Sequence, residues 1–438
     1  MTTSIQALRH EVAQQTALLP GMYGSIDFER RPERFTDDVE VRCSMPDETL
    51  DQRPRLLADR DMVAAMEAFT MLGDSVADAY AALIPEVGFR RLLEMLDQAC
   101  THGVEAVEDA PGELVALIED MERVPDWIDI SLIERGAFEQ RKISAIVMPF
   151  LYRAAFVATF VNSYAALPMV TTGALSSRAA GKRMTETAAF FSCTTLPGGL
   201  QRYSTGFRAT ARVRLMHSMV RFNILARGQW DSSVYGMPIP QADQMPVGLT
   251  PLKLEAERAL SRGRDTFTPA ARAKVEFYRY RCFLLGLPEE LLPDTPQGVL
   301  DVLATREATL RDRYDDDTCG TLVRTTMSAN VEPDRSLLSR TRHRFGLSFA
   351  TVFFVRFVLA GDTGRAAEMG LLPTAGDWLR AAATGVYVGV QLVGHVALER
   401  IPVLRHMQDG RLVKKLNREL DRYGYAEFVT DPSTYDRP

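Results

Sequence analysis

Several common protein classes are excluded by what this sequence has little of. Five cysteines in 438 residues, Cys43, Cys100, Cys193, Cys282 and Cys319, are odd in number, scattered and never in a CxxC spacing. That pattern argues against a disulfide framework and against a zinc site, and leaves reduced thiols as the simplest state. Basic charge is not in excess either. A formal net charge of -6 and a pI near 5.7 leave no electrostatic footprint for nucleic acid. The first nineteen residues carry Arg9, His10 and Glu11 where an export signal needs an unbroken apolar core, so a cytoplasmic location is the default expectation. Of the two most apolar stretches, Leu347 to Leu359 is short and contains Arg356, and Ala381 to Leu398 contains Gln391 and His395. Both read as buried core helices, and no transmembrane segment is expected. Strand-like alternation is scarce, and internal repeats and low-complexity tracts are missing.

What is present is an ordinary globular balance, 46% hydrophobic and 25% charged. Residues 1–55, rich in Pro, Arg and Asp, read as an extension packed on the core, with little periodicity beyond a short first helix. From Asp59 onward apolar residues recur at helical spacing, as in Met62, Met66, Phe69 and Leu72 and again in Leu92, Leu93 and Leu96. Breaks at 109–112, 197–199, 228–251 and 291–297 carry Pro, Gly and Asp and separate helices rather than domains. The expected class is all-α, with a single helical domain over residues 56–430.

Two helices stand out chemically. Gly206 to Gly228, GFRATARVRLMHSMVRFNILARG, has His217 at its centre. Val213, Val220 and Ile224 flank the histidine on one side, and Arg214 and Arg221 on the other. A haem presents the same asymmetry, with an apolar macrocycle, two anionic propionates and an iron that takes a neutral imidazole. A core histidine with arginines reaching water fits the periodicity as well. The preceding segment, Ser176 to Thr195, starts on serine caps and ends before Pro197-Gly198-Gly199. It places Arg183, Glu186, Thr187 and Phe190 on one face. Such groups suit an oxygen-activating pocket, in which a cation or hydroxyl donates hydrogen bonds and a carboxylate moves protons. An Arg183–Glu186 pair on a solvated face is the alternative.

Four segments in this order resemble the superfamily that contains bacterial rubber-cleaving latex-clearing proteins and the fungal oxygenase of mycophenolic acid biosynthesis. They are Pro125-Asp126-Trp127-Ile128-Asp129, Arg183-Met184-Thr185-Glu186-Thr187, Arg214-Leu215-Met216-His217 followed by Arg221, and Tyr235 to Asp243, YGMPIPQAD. The resemblance runs from about Trp127 to Thr250. It implies a globin-like helical core that holds haem b, with His217 as the proximal iron ligand and Arg183 and Thr187 on the distal side. Arg214 and Arg221 match the arginines flanking the ligand and are assigned to the propionates on charge grounds. The rubber-cleaving members have a lysine, able to cap the iron, where this chain has Glu186, and the stretch 162–175 offers no counterpart of their catalytic glutamate. Polyisoprene is therefore a poor match as substrate, and Glu186 becomes a candidate general base or a partner that holds Arg183 in place. The loop 236–243 reads as a rigid pocket wall, with Thr250 as a further candidate pocket hydroxyl.

Other signals carry less. Asp315-Asp316-Asp317 lacks the second motif that a helical Mg²⁺ enzyme needs and reads as a solvated turn. His10, His102, His343 and His406 read as surface residues. His395, within an apolar stretch, is a core histidine or a rival axial ligand. Met216 points about 100° away from His217 and reads as packing. The expected function is a haem b-dependent oxygenase that activates O₂ to oxidise or cleave a small apolar substrate, unsaturated ones included. A haem protein that uses peroxide or senses a gas, and a metal-free helical carrier of an apolar ligand, remain the alternatives.

Overall fold

A computed structural model describes residues 5–171, 180–331, 336–399 and 401–424. Helix is the dominant element, and among the described residues extended pairing is limited to two isolated bridges, Phe35 with Leu310 and Cys43 with Arg311. The all-α expectation holds. Ten helices position the features of interest and are numbered in chain order: α1 (Arg60–Met71), α2 (Ser75–Ala81), α3 (Met148–Val157), α4 (Ala180–Thr195), α5 (Thr205–Ala226), α6 (Pro269–Leu284), α7 (Pro296–Thr309), α8 (Leu337–Phe353), α9 (Ala375–Glu399) and α10 (Pro402–Tyr423).

The chain divides into two compact units, where the sequence reading has one helical domain over 56–430. The first combines residues 1–136 with 200–312, and the second 137–199 with 313–438. One division falls directly after Pro197-Gly198-Gly199, so a break read as merely separating helices also separates units. Local helical periodicity is the same on both sides of such a break, which is why it does not reveal which helices cluster.

In the first unit, residues 5–55 are tied down by specific contacts. The Arg53 guanidinium donates to the carbonyls of Ala308, Val39 and Val41. α5 is its central element. Ser204 caps it by accepting from the Phe207 N–H at 3.0 Å, and the chain leaves it through Gly228 at φ +63°, a left-handed position glycine adopts without strain. Fourteen of its 22 residues are buried.

In the second unit, α3, α4 and α8 share an apolar core that includes Ala154, Met184, Phe160 and Phe354. The serines at 176 and 177, expected to cap α4, lie outside the described residues, and α4 is described from Ala180. All five cysteines are buried and none forms a disulfide. Burial pushes the Cys100 thiol up to about 12 and Cys282 to about 11, so neither supplies a thiolate at neutral pH.

The stretch Ala381 to Leu398 departs from the expectation of a buried core helix. Within α9 only Ala381, Thr384, Val388 and His395 are buried, while Val386, Val390 and Val393 face outward. One stripe of the helix satisfies the neighbouring α8 and α10, and the remaining circumference, equally apolar, is left uncovered. Two helical stretches, 130–160 and 375–399, are long and apolar enough by length and composition to cross a membrane.

Candidate functional site

Within the first unit the structure brings Arg214, His217 and Arg221 together on one side of α5, and both guanidiniums are already engaged. Arg214 donates to Asp74 through Nε at 2.6 Å and Nη2 at 2.9 Å, and its Nη1 lies 2.7 Å from Asp120. Arg221, fully buried, donates to Asp78 and to the carbonyls of Ile239 (2.7 Å) and Pro238 (3.3 Å). Asp74 caps the N-terminus of α2 by accepting from Ala77 N–H, and Asp78 lies in the first turn of the same helix. Burial pushes the Asp74 carboxyl up, but the Arg214 charge and hydrogen bonds, helped by Arg221, outweigh it and hold it below the usual range. Asp78 goes the other way: burial and the neighbouring Asp74 raise it against the pull of Arg221. Tyr23, itself raised by burial and by Asp78, stays protonated and donates its hydroxyl proton to that carboxylate.

This alters the expectation for the two arginines. A propionate clamp needs surplus positive charge, and these two guanidiniums face three carboxylates, Asp74, Asp78 and Asp120. They lock α5 to α2. The lock is also tight sterically, because a Cβ added to Gly73 would lie 2.6 Å from the Tyr23 hydroxyl, and one on Gly286 would lie 2.6 Å from Arg214 Nε.

His217 is half-buried, and its Nδ1 lies 2.9 Å from Gln244 Oε1. An amide oxygen accepts only, so Nδ1 carries the proton and Nε2 the lone pair, which is the tautomer a metal takes. Gln244 is fixed in turn. Its amide nitrogen meets Gln241 Oε1 at 3.3 Å, and Gln241 donates to the carbonyls of Gly73 (2.9 Å) and Gly286 (3.1 Å). The segment read as a pocket wall is thus the brace of the histidine. Met237 N–H bonds the Thr70 carbonyl and Gln241 N–H the Leu72 carbonyl, pinning the segment to the end of α1. Asp243 accepts from Arg34 and Arg306, whose charges hold its carboxyl low although burial alone would raise it. Between its two prolines Ile239 sits at φ +50°, strained for a β-branched residue, and that conformation points its carbonyl at Arg221. Gln244 escaped the sequence reading. It lies one residue beyond the recognised motif, and a glutamine 27 positions from the histidine carries no periodic signal.

Within the second unit Arg183, Glu186 and Thr187 share one face of α4. Glu186 is buried, with Oε2 3.7 Å from Arg183 Nη1 and Oε1 3.8 Å from Lys182 Nζ. The i to i+3 pair is present, but on a buried carboxylate rather than a solvated face. A cavity of about 80 Å³ opens on the other side of α4, past Thr185, Ala188 and Ser192, and is walled by Phe150, Leu347 and Tyr152. His343 lines it too. Expected on the surface, His343 is half-buried, with no hydrogen-bond partner for Nδ1 among the described residues, and burial, with Arg153 nearby, lowers its pKa. His395 is buried on the inner stripe of α9, with Nε2 3.3 Å from the Glu399 carboxylate. His10, His102 and His406 are exposed as expected. Asp315 accepts from Thr318 N–H and Asp316 pairs with Arg324, so the acidic run serves as a helix cap. Thr250 is exposed, which removes it as a pocket hydroxyl. The Pro125–Asp129 segment is also structural: Trp127 donates to Glu289 at 3.0 Å beneath the Arg279 guanidinium, and Asp129 caps the helix that follows.

Residues 145–390, more than half of the chain, match the family model described as ER-bound oxygenase mpaB/B'/Rubber oxygenase, catalytic domain. The chain belongs to this oxygenase family. The matched span contains α4, α5 and the 237–244 brace, whereas the Pro125–Asp129 motif precedes it. A solved structure of Latex Clearing Protein LCP in the closed state is similar at 20% identity and a TM-score of 0.48, covering 73% of this chain and 91% of that one. No curated protein matches.

Among the described residues no three His, Cys, Asp or Glu side chains converge to cage a bare ion. A porphyrin brings four nitrogens of its own and asks the protein for an axial ligand, and His217 in its fixed tautomer fits that demand.

Proposed function

We propose that this member of the oxygenase family binds haem b through His217 and uses O₂ to oxidise or cleave a small or medium apolar substrate. The observation that carries the reading is the chain from Gly73 and Gly286 through Gln241 and Gln244 to Nδ1 of His217. When bound, the haem supplies the redox chemistry of oxygen activation. His217 would hold it through Nε2, and Gln244, by accepting the hydrogen bond from Nδ1–H, fixes the plane of the ring and raises its donor strength. Arg214 and Arg221 act through α5 as positioning residues. Arg183 and Thr187 supply hydrogen-bond donors on α4, and Glu186 holds Arg183 or takes up a proton at its carboxylate. Polyisoprene is not the proposed substrate, and a cytoplasmic setting is retained.

A visible absorption spectrum of the purified protein, as isolated and after addition of haemin, tests the reading. A Soret band with turnover under O₂ and no peroxide is expected. A preparation that refuses haemin favours the metal-free carrier, and turnover only with peroxide favours the peroxidase alternative.

A further inference from the structure

Exposed apolar side chains are unevenly distributed in this molecule. Of 23 large ones among the described residues, 15 fall between Leu337 and Met407. Their centre is α9, where Val386, Val390 and Val393 are 68%, 67% and 71% exposed and no charged residue occurs from Ala381 to Leu398. Leu379, two turns before Val386, extends the stripe. Trp378 and Tyr387, also exposed, are side chains with an apolar body and a polar tip, suited to a boundary between oil and water. A contiguous patch of this kind is uncommon on a protein surface that faces only water.

Charge is uneven in the same region. Residues 337–424 hold thirteen Lys and Arg against seven Asp and Glu, in a chain whose net charge is -6. The cations accompany the outlying apolar groups: Arg340 follows Leu337 and Leu338, Arg356 adjoins Phe357, and Arg405 lies between Val403 and Met407, all of them exposed. An apolar face within a basic surround complements a bilayer with anionic headgroups. A second copy of the same face is a poor partner, because a two-fold contact would set like charges against each other.

We propose that the outer face of α9 docks this protein on an anionic membrane surface. The helix is roughly 37 Å long at 1.5 Å per residue. Its inner stripe, Ala381, Thr384, Val388 and His395, is committed to protein packing, and Val388 joins Leu412 and Leu416 in a core cluster. The helix therefore lies in the interface with its apolar face among the acyl chains, and the surrounding arginines and lysines meet the headgroups. An enzyme so placed draws apolar molecules from the lipid phase.

Flotation of the full-length protein with vesicles decides the matter. One set is phosphatidylcholine alone and the other has a quarter of its lipid as phosphatidylserine. The wild type is expected to float with the anionic vesicles and less with the neutral ones, and binding should weaken at ~0.5 M NaCl. Val390→Asp/Val393→Asp should lower vesicle affinity roughly tenfold or more with unchanged helix content and melting temperature. Three results would overturn the proposal: no flotation with either vesicle, a double variant that binds like wild type, or a concentration-dependent dimer in place of vesicle binding that the variant abolishes.

Discussion

α5 and α4 each carry arginine beside a functional candidate, and they use it differently. On α5 both guanidiniums are buried and engaged with carboxylates at hydrogen-bond distance. On α4 the Arg183–Glu186 separation is 3.7 Å, wider than a direct hydrogen bond. The first arrangement spends its cations on rigidity. The second sets a guanidinium and a buried carboxylate side by side on one helix at a longer distance. On α4 the acid comes from the same helix, whereas on α5 the acids arrive from elsewhere in the chain.

The largest effect separating the two helices is expected from Arg221→Met. It strands Asp78 in a buried site and should cost about 3–5 kcal/mol in urea unfolding, with partial recovery in Arg221→Met/Asp78→Leu. A cost under about 1 kcal/mol would show that the lock is ornamental. Next comes Gln244→Leu, which removes the acceptor for His217 Nδ1 and should weaken haem affinity roughly 10- to 100-fold in haemin titration while leaving the fold intact. Unchanged affinity would detach the brace from the ligand.

How much of this was legible beforehand follows from the range of each interaction. The helical class, the boundaries of α5 and the face that groups Arg214, His217 and Arg221 come from 3.6-residue periodicity and capping, which are local. The partners Asp74, Asp78 and Asp120 lie about a hundred residues or more away and share no pattern with α5, so the arginines read as propionate clamps. α9 failed for another reason. Hydrophobicity without charge signals burial, but it does not say whether protein or something else does the burying.

Asp243→Asn should have a smaller effect, about 1–3 kcal/mol, concentrated at the pH values where the carboxylate is ionised. Because the folded-state pKa is depressed, this stabilisation is present above the unfolded value near 4 and fades as pH falls through the folded one. The wild type should therefore lose its advantage over the variant in acid, and an advantage that grew on acidification would reverse the assignment. The smallest effect on stability is expected from Glu186→Gln, under about 1 kcal/mol in urea unfolding, because the change keeps the shape of the side chain. Its consequence should appear in turnover instead, and unimpaired turnover would return Glu186 to a structural role.

The most direct measurement is the absorption spectrum of haemin-loaded His217→Gly before and after addition of imidazole. Loss of the wild-type Soret band and its return with imidazole is the predicted result. A variant that keeps the wild-type spectrum without imidazole would contradict the assignment of His217 as the axial ligand.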